Sequence, residues 1–175
     1  MKPAVLALLL LAACKTLPEE PAPNGWPSFE SANMGEMVNV HRVGELWVGG
    51  LPSRPDLELA ARRGLKQILD VRPAHQAAGD DLPLAARELG LDFVSLAFDA
   101  EQPDPAIVER ALGELRRPGA KLLFCTDGGG AALILAVHRV REQGVPLEEA
   151  LSEARRMGMK PGAPEDFVRR SAAAP

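Results

Sequence analysis

A cysteine at the head of a glycine-rich loop is the part of this sequence best suited to chemistry. The apolar run Leu122 to Phe124 ends in Cys125, a short loop follows, and a helical pattern begins at Ala131. Glycines let successive backbone N–H groups turn inward, and the start of a helix adds partial positive charge. The segment therefore predicts an anion-binding loop with a nucleophilic thiol at its rim. The loop residues are Thr126, Asp127, Gly128, Gly129, Gly130 and Ala131.

Plainer interpretations of the same residues stay open. A cysteine that ends a buried strand is often a small apolar core residue, and consecutive glycines can simply permit a tight turn. What favours an anion site is that both features coincide where a strand gives way to a helix. Further along this helix, Arg139 and Arg141 are expected to face solvent.

The rest of the chain alternates short apolar runs with helical patterns. Strands separated by helices of this length require crossover connections, which favours a mainly parallel sheet covered on both faces. In such folds binding loops lie at the carboxyl ends of strands, where Cys125 falls. The predicted fold class is α/β, with a mainly parallel central sheet flanked by helices. Strands are predicted at 38–43, 46–48, 67–71, 92–98 and 122–124, and helices at 56–63, 82–89, 105–116, 131–143, 147–156 and 165–171.

The amino-terminal residues have the features of an export signal. A positive charge precedes the apolar stretch Ala4 to Leu11, which is too short to span a bilayer. The tetrapeptide Leu11-Ala12-Ala13-Cys14 then resembles the lipobox of bacterial lipoproteins, whose cysteine is acylated. We expect residues 1–13 to be a signal peptide and Cys14 to be lipidated, with an ordinary secretory signal as the alternative. Lys15 resembles the residue after the cysteine in outer-membrane lipoproteins, which predicts a lipid-anchored protein of the bacterial cell envelope, on the periplasmic side.

Composition divides the remainder of the chain. Residues 14–36 lack a hydrophobic period and are rich in proline, which predicts a tether after the lipidated cysteine. Residues 37–171 fit one domain, and 172–175 a frayed tail. A net charge of −4 with scattered basic residues argues against a nucleic-acid partner. The three histidines are far apart, so neither a metal site nor a cofactor is implied.

Four stretches of the domain form an ordered pattern around the cysteine loop. They are LWVGGLPS with the following DLELAARRG, LKQILDVRP, GLDFVSLAFDAEQPDPAIVERAL, and LLFCTDGGGAALILAVHRVREQGVPLEEALSEARRMGM. This set resembles the small dual-specificity-like tyrosine phosphatases of bacteria. The resemblance is closest to the group related to the phosphatase part of β-lactamase-hydrolase-like proteins, and it implies a cysteine-phosphatase-like fold.

The resemblance also implies roles for individual residues. In that family a thiolate attacks phosphorus, an aspartic acid protonates the leaving oxygen, and an arginine that ends the loop grips the phosphoryl oxygens. Cys125 matches the nucleophile. Asp99 matches the acid, with Asp104 second and a loop or capping role as the alternative. The arginine position holds Ala131, or Gly130 with the shorter loop of rhodaneses, so the loop arginine is missing.

Two further departures concern the same loop. Phe124 replaces the histidine that commonly precedes the cysteine, and Asp127 puts a carboxylate where a dianion would bind. Arg72, at the end of a predicted strand, could supply the missing charge from a distance, although a salt bridge is the favoured role. The resulting hypothesis is a membrane-anchored phosphatase-like lipoprotein with impaired catalysis, a pseudophosphatase that binds or scaffolds.

Other functions stay open. An active phosphoric monoester hydrolase, or another thiol enzyme such as a sulfurtransferase, would use Cys125, and a structural envelope lipoprotein would use neither the thiol nor the loop. Whether the chain is an enzyme is thus undecided by the sequence. The expected partners are the lipid membrane through acylated Cys14, a phosphorylated or anionic ligand, and an unknown protein.

Overall fold

The computed structural model describes residues 25–77, 79 and 81–173, which form a six-stranded sheet flanked by helices. The strands are β1 Phe29–Ser31, β2 His41–Val43, β3 Leu46–Gly49, β4 Gln67–Asp70, β5 Asp92–Ser95 and β6 Lys121–Phe124. The helices are α1 Arg54–Arg62, α2 Ala74–Ala77, α3 Leu82–Glu88, α4 Pro105–Leu115, α5 Gly129–Gln143, α6 Leu147–Arg156 and α7 Ala163–Ala173.

The sheet is mainly parallel, which confirms the predicted fold class. Its strand order is β1-β2-β3-β6-β4-β5. β6 pairs in parallel with both β3 and β4, and β4 pairs in parallel with β5. β1, β2 and β3 form an antiparallel extension on one side. The strand that leads into the cysteine loop is therefore an inner strand of the sheet.

Alternating side chains of β6 enter two different cores, as the two-residue period of a strand requires. Leu122 and Phe124 pack with residues of α1 and α3, whereas Leu123 and Cys125 pack with residues of α4, α5, α6 and α7. Every residue of β6 is buried. Burial on both faces explains why Leu122 to Phe124 is a continuous apolar run rather than an alternating one.

The folded part of the chain begins before residue 37, the boundary that the sequence predicted. β1 pairs antiparallel with β2, the Phe29 ring stacks on His41 with centroids 4.6 Å apart, and Met34 is fully buried. A three-residue edge strand leaves no hydrophobic period to detect. Residues 29–36 therefore belong to the domain rather than to the predicted tether.

The two ends of the chain differ in how far the structure describes them. Helix α7 extends to Ala173, two residues into the predicted tail. Cys14 and the predicted signal peptide lie outside the described residues. Among the residues that are described, no helix is both long and apolar enough to cross a membrane.

Arg139 is buried, contrary to the prediction that it faces solvent. Only 2% of it is exposed, and its guanidinium makes two bonds to Glu153, Nε to Oε2 at 2.8 Å and Nη2 to Oε1 at 2.7 Å. Its remaining nitrogen donates to the Pro27 carbonyl and to Gln143. The ion pair joins α5 to α6, so the side chain is structural. A charged residue in a helical pattern gave no sign of this, because its partner is 14 residues away in sequence.

We predict that Arg139→Ala lowers the free energy of unfolding by about 3–5 kcal/mol, because it leaves the buried Glu153 carboxylate without a partner. Urea denaturation followed by circular dichroism measures the change. The matched control is Arg141→Ala, whose ion pair with Glu109 is partly exposed and contributes about 1 kcal/mol or less. Equal effects of the two substitutions would contradict the structural role assigned to Arg139.

Candidate functional site

Cys125 directly follows β6, and the loop after it wraps around its sulfur. The residue is only 5% exposed. The backbone N–H of Gly128 donates to Sγ at 3.1 Å, and the backbone N–H groups of Asp127, Gly130 and Ala131 also favour a negative sulfur. The loop thus has the inward-facing amides expected of an anion cradle.

Burial of Cys125 and the loop amides have opposite effects on the pKa of its thiol. Removal from water raises the pKa of the Cys125 thiol above its ordinary value, and the backbone N–H groups offset this only in part. The direction is opposite to that of an activated cysteine, whose thiolate is stabilised near neutral pH. At neutral pH the sulfur is therefore predominantly the protonated thiol.

Packing accounts for two of the loop glycines independently of any ligand. Gly128 has φ of +99°, and a Cβ there would lie 2.9 Å from the Met157 carbonyl oxygen. A Cβ on Gly129 would lie 2.9 Å from the Gly158 carbonyl oxygen. The loop is therefore pressed against the end of α6, and a larger residue at either position requires the backbone to shift.

Asp127 places its carboxylate at the start of α5. Its Oδ1 accepts the Gly129 backbone N–H at 3.0 Å and lies 3.5 Å from the Cys125 sulfur, whose S–H can donate to it. The Asp127 carbonyl is in turn held by Asn39, whose Nδ2 donates to it at 2.8 Å. The carboxylate thus occupies part of the cradle that an external anion would need.

A cleft of about 210 Å³ opens beside the cysteine loop. Asp99 and Cys125, the two residues predicted to be acid and nucleophile, both lie in the lining of this cleft, and their roles stay predictions. The Asp99 Oδ1 accepts the Glu101 backbone N–H at 2.9 Å, which is an ordinary loop contact. Asp104 instead caps α4 by accepting the Ala106 N–H at 2.8 Å.

Among the described residues that line this cleft there is no arginine. Ala131 is fully buried, and a Cβ on Gly130 would lie 3.6 Å from the Cys125 sulfur. Arg72 is held by Asp70 through Nε to Oδ1 at 2.9 Å and Nη2 to Oδ2 at 2.5 Å. It is 3% exposed and does not line the cleft. Arg72 therefore makes a salt bridge, the role that the sequence favoured, and this salt bridge is buried.

Two polar residues near the site were not found from the sequence. Asn39 adopts the left-handed backbone conformation, with φ of +53°, and binds the loop from a distant part of the chain. Gln76 lies on the four-residue helix α2, and its Oε1 accepts from the Thr126 hydroxyl at 2.5 Å. A helix this short has no hydrophobic period, so no pattern could have indicated it. The lining of the cleft consists of Val71, Pro73, Gln76, Phe98, Asp99, Ala100, Cys125, Thr126, Asp127 and Gly130.

The fold is cysteine-phosphatase-like, as comparison with solved structures shows. The chain is 22% identical to TpbA of P. aeruginosa, crystallised as a Cys→Ser variant with phosphotyrosine, over 86% of this chain and 97% of that one, with a TM-score of 0.64. It is 18% identical to the catalytic core of the PP-IP phosphatase SIW14 of S. cerevisiae, which was solved with citrate (78% and 87% covered, TM-score 0.68). Tk-PTP in its active form is 17% identical (84% and 97% covered, TM-score 0.61).

These likenesses establish the fold and leave activity open, because identities this low do not carry a function across. No protein-family model matches the chain, and no curated protein sequence matches it. Any conclusion on activity therefore has to come from the residues of this chain's own cleft. The cleft has a cradle of amides and a thiol, but two carboxylates and no cationic side chain among its lining residues.

We predict that the Cys125 thiol reacts slowly with iodoacetamide at pH 7. The reaction rate should rise about tenfold per pH unit and keep rising above pH 8.5, which is about the ordinary pKa of a cysteine thiol. The chain with Cys14→Ala leaves Cys125 as its one thiol. Asp127→Asn should accelerate the reaction about three- to tenfold at pH 7, because it removes a negative charge beside the thiolate while keeping the oxygen that accepts from Gly129.

Glu149→Gln is the control for that experiment, since it removes an exposed carboxylate of α6 instead. A thiol that is alkylated rapidly at pH 7 and protected by phosphate or vanadate would mean that the sulfur is activated. In that case burial does not determine its reactivity.

Proposed function

We propose that this protein is a lipid-anchored pseudophosphatase of the bacterial cell envelope. Its phosphatase-like domain acts as a binding or scaffolding module rather than as an enzyme. The lipid on Cys14 holds it at the outer membrane, on the periplasmic side. The observation that carries the proposal is the cleft at Cys125, whose described lining has no cationic side chain.

The missing arginine matters because of the charge that develops in phosphoryl transfer. A charged group aimed at the transition state typically contributes about 3–4 kcal/mol, or on the order of a hundred- to a thousandfold in rate. Here Ala131 stands in that position, and the bidentate bond to Asp70 occupies Arg72. Since the pKa of the Cys125 thiol is also raised, the nucleophile and its electrostatic support are both weakened.

A phosphorylated ligand is the second candidate for the cleft, because one structural neighbour was crystallised with phosphotyrosine. Such a ligand would meet the carboxylates of Asp99 and Asp127 instead of an arginine. Both carboxylates would repel a phosphate dianion, and this repulsion opposes its binding in a partly buried site. The loop amides alone would have to overcome that repulsion.

We predict that the full-length protein in detergent micelles hydrolyses para-nitrophenyl phosphate no faster than its Cys125→Ser variant. The same preparations are tested for sulfur transfer from thiosulfate to cyanide, with the same expected result. Both expectations follow from a protonated thiol in a cleft without a cation.

Hydrolysis by the wild-type chain that Cys125→Ser abolishes would contradict the proposal. Loss of that activity in Arg72→Gln would then assign the active-phosphatase alternative and its remote arginine. Sulfur transfer that depends on Cys125 would assign the sulfurtransferase alternative instead.

We predict that the chain incorporates radiolabelled palmitate when expressed in bacteria and sediments with the membrane fraction. Cys14→Ala should remove both the label and the sedimentation, because it removes the acylated sulfur. Cys125→Ala is the control and should keep both. An unlabelled wild-type chain would show that the signal is an ordinary secretory one.

A further inference from the structure

Two exposed apolar residues lie near the cysteine loop. Val38 is 55% exposed and Leu51 is 42% exposed; with Leu84 they are the large exposed hydrophobic residues of the described chain. The Val38 carbonyl accepts the Gly50 N–H at 2.9 Å, and the Leu51 N–H donates to the Thr126 carbonyl at 3.2 Å. Leu51 is thus attached to a residue that lines the cleft, and Val38 is attached to Gly50, the residue before Leu51.

A single exposed hydrophobic side chain needs no explanation, but a pair beside a concave site is typical of a contact surface. We call Val38, Leu51 and the lining of the cleft the cleft rim surface. The cleft, at about 210 Å³, is smaller than the roughly 300–1,000 Å³ of sites for drug-sized ligands. It therefore suits one inserted side chain better than a whole small molecule.

The charges of this surface define what that side chain should be. Oδ1 of Asp99 and Oδ1 of Asp127 each accept a backbone N–H, while neither Oδ2 has a hydrogen bond or ion pair with any described residue. A neighbouring cavity of about 70 Å³ adds Glu101 and Lys160, whose charges are opposite. The surface as a whole is therefore negative, with carboxylate oxygens free to accept.

The N–H group that an anion would use is already engaged. The Gly129 N–H lies 3.0 Å from Oδ1 of Asp127, within the same loop that bonds the Cys125 sulfur. An incoming anion must displace this carboxylate, whereas an incoming cation gains from it.

We propose that the cleft rim surface binds a protruding arginine or lysine of a partner protein, with apolar neighbours of that residue packed on Val38 and Leu51. The inference rests on the proposed function and names the partner chemistry of the same site. A cleft that carries out phosphoryl transfer would have to admit a phosphoryl group where this proposal places a cation.

The test uses the full-length chain, labelled with ¹⁵N, in detergent micelles at low salt. The probes are end-blocked peptides of sequence Ala-Leu-Xxx-Leu-Ala in which Xxx is arginine, glutamate or phosphotyrosine. The amide signals of residues 126–130 report binding. We expect the arginine peptide to bind at least tenfold more tightly than the other two.

Substitutions locate the effect. Asp99→Asn and Asp127→Asn should each weaken the arginine peptide about two- to fivefold, the range for exposed charge pairs. Both keep the oxygen that accepts the backbone N–H, so the loop conformation is retained. Glu149→Gln should leave binding unchanged. Val38→Ser and Leu51→Ser should weaken it, whereas Leu84→Ser on helix α3, at a similarly exposed residue that lines a different pocket, should not.

Equal or tighter binding of the phosphotyrosine peptide, absence of selectivity among the three peptides, or binding that is indifferent to both Asn variants would each overturn the inference. The phosphatase assay on the same preparation separates the two proposals. Turnover that depends on Cys125 defeats the proposed function whatever the peptides do. No turnover together with no selectivity defeats this inference alone.

Discussion

The burial of β6 between two helical layers is the constraint on which the site depends. Both faces of this inner strand are covered, Leu122 to Phe124 are apolar, and Cys125 continues the strand into the core. The packing of the strand alone therefore removes the Cys125 sulfur from water, independently of any catalytic role. The same burial that fixes the position of the thiol also raises its pKa, so position and reactivity are coupled through one physical cause.

The conformation of the loop is maintained by contacts that do not involve a ligand. Gly128 and Gly129 press against the carbonyl groups of Met157 and Gly158, and Asn39 holds the loop from the other side. The cradle of amides is thus a consequence of how α5 and α6 pack. A cradle that packing alone maintains is expected to persist in a protein whether or not it performs chemistry, which is why the fold is weak evidence for activity here.

Much of the fold could be predicted from the sequence, because its elements carry strong local patterns. The helical pattern predicts α6 at its observed bounds, and the apolar run predicts the strand before Cys125. β1 and α2 were missed, since three- and four-residue elements have no period to detect. Arg139 was misplaced for a different reason. Its burial depends on Glu153 in another helix, and a pairing between two helices leaves no trace in the pattern of either one.

For the site, the sequence indicated which residues gather around the loop but not how their charges are compensated. Cys125, Asp99 and Asp127 line one cleft. The sequence did not identify Asp70 as the partner of Arg72, which the structure shows. The amides at the start of α5 favour negative charge, and a carboxylate at a helix N-terminus typically contributes about 0.3–1 kcal/mol. In this loop Asp127 supplies that charge from within the chain. The N–H of Gly129 therefore already has an anionic partner, and the cradle has less capacity to stabilise a thiolate or to bind an external anion.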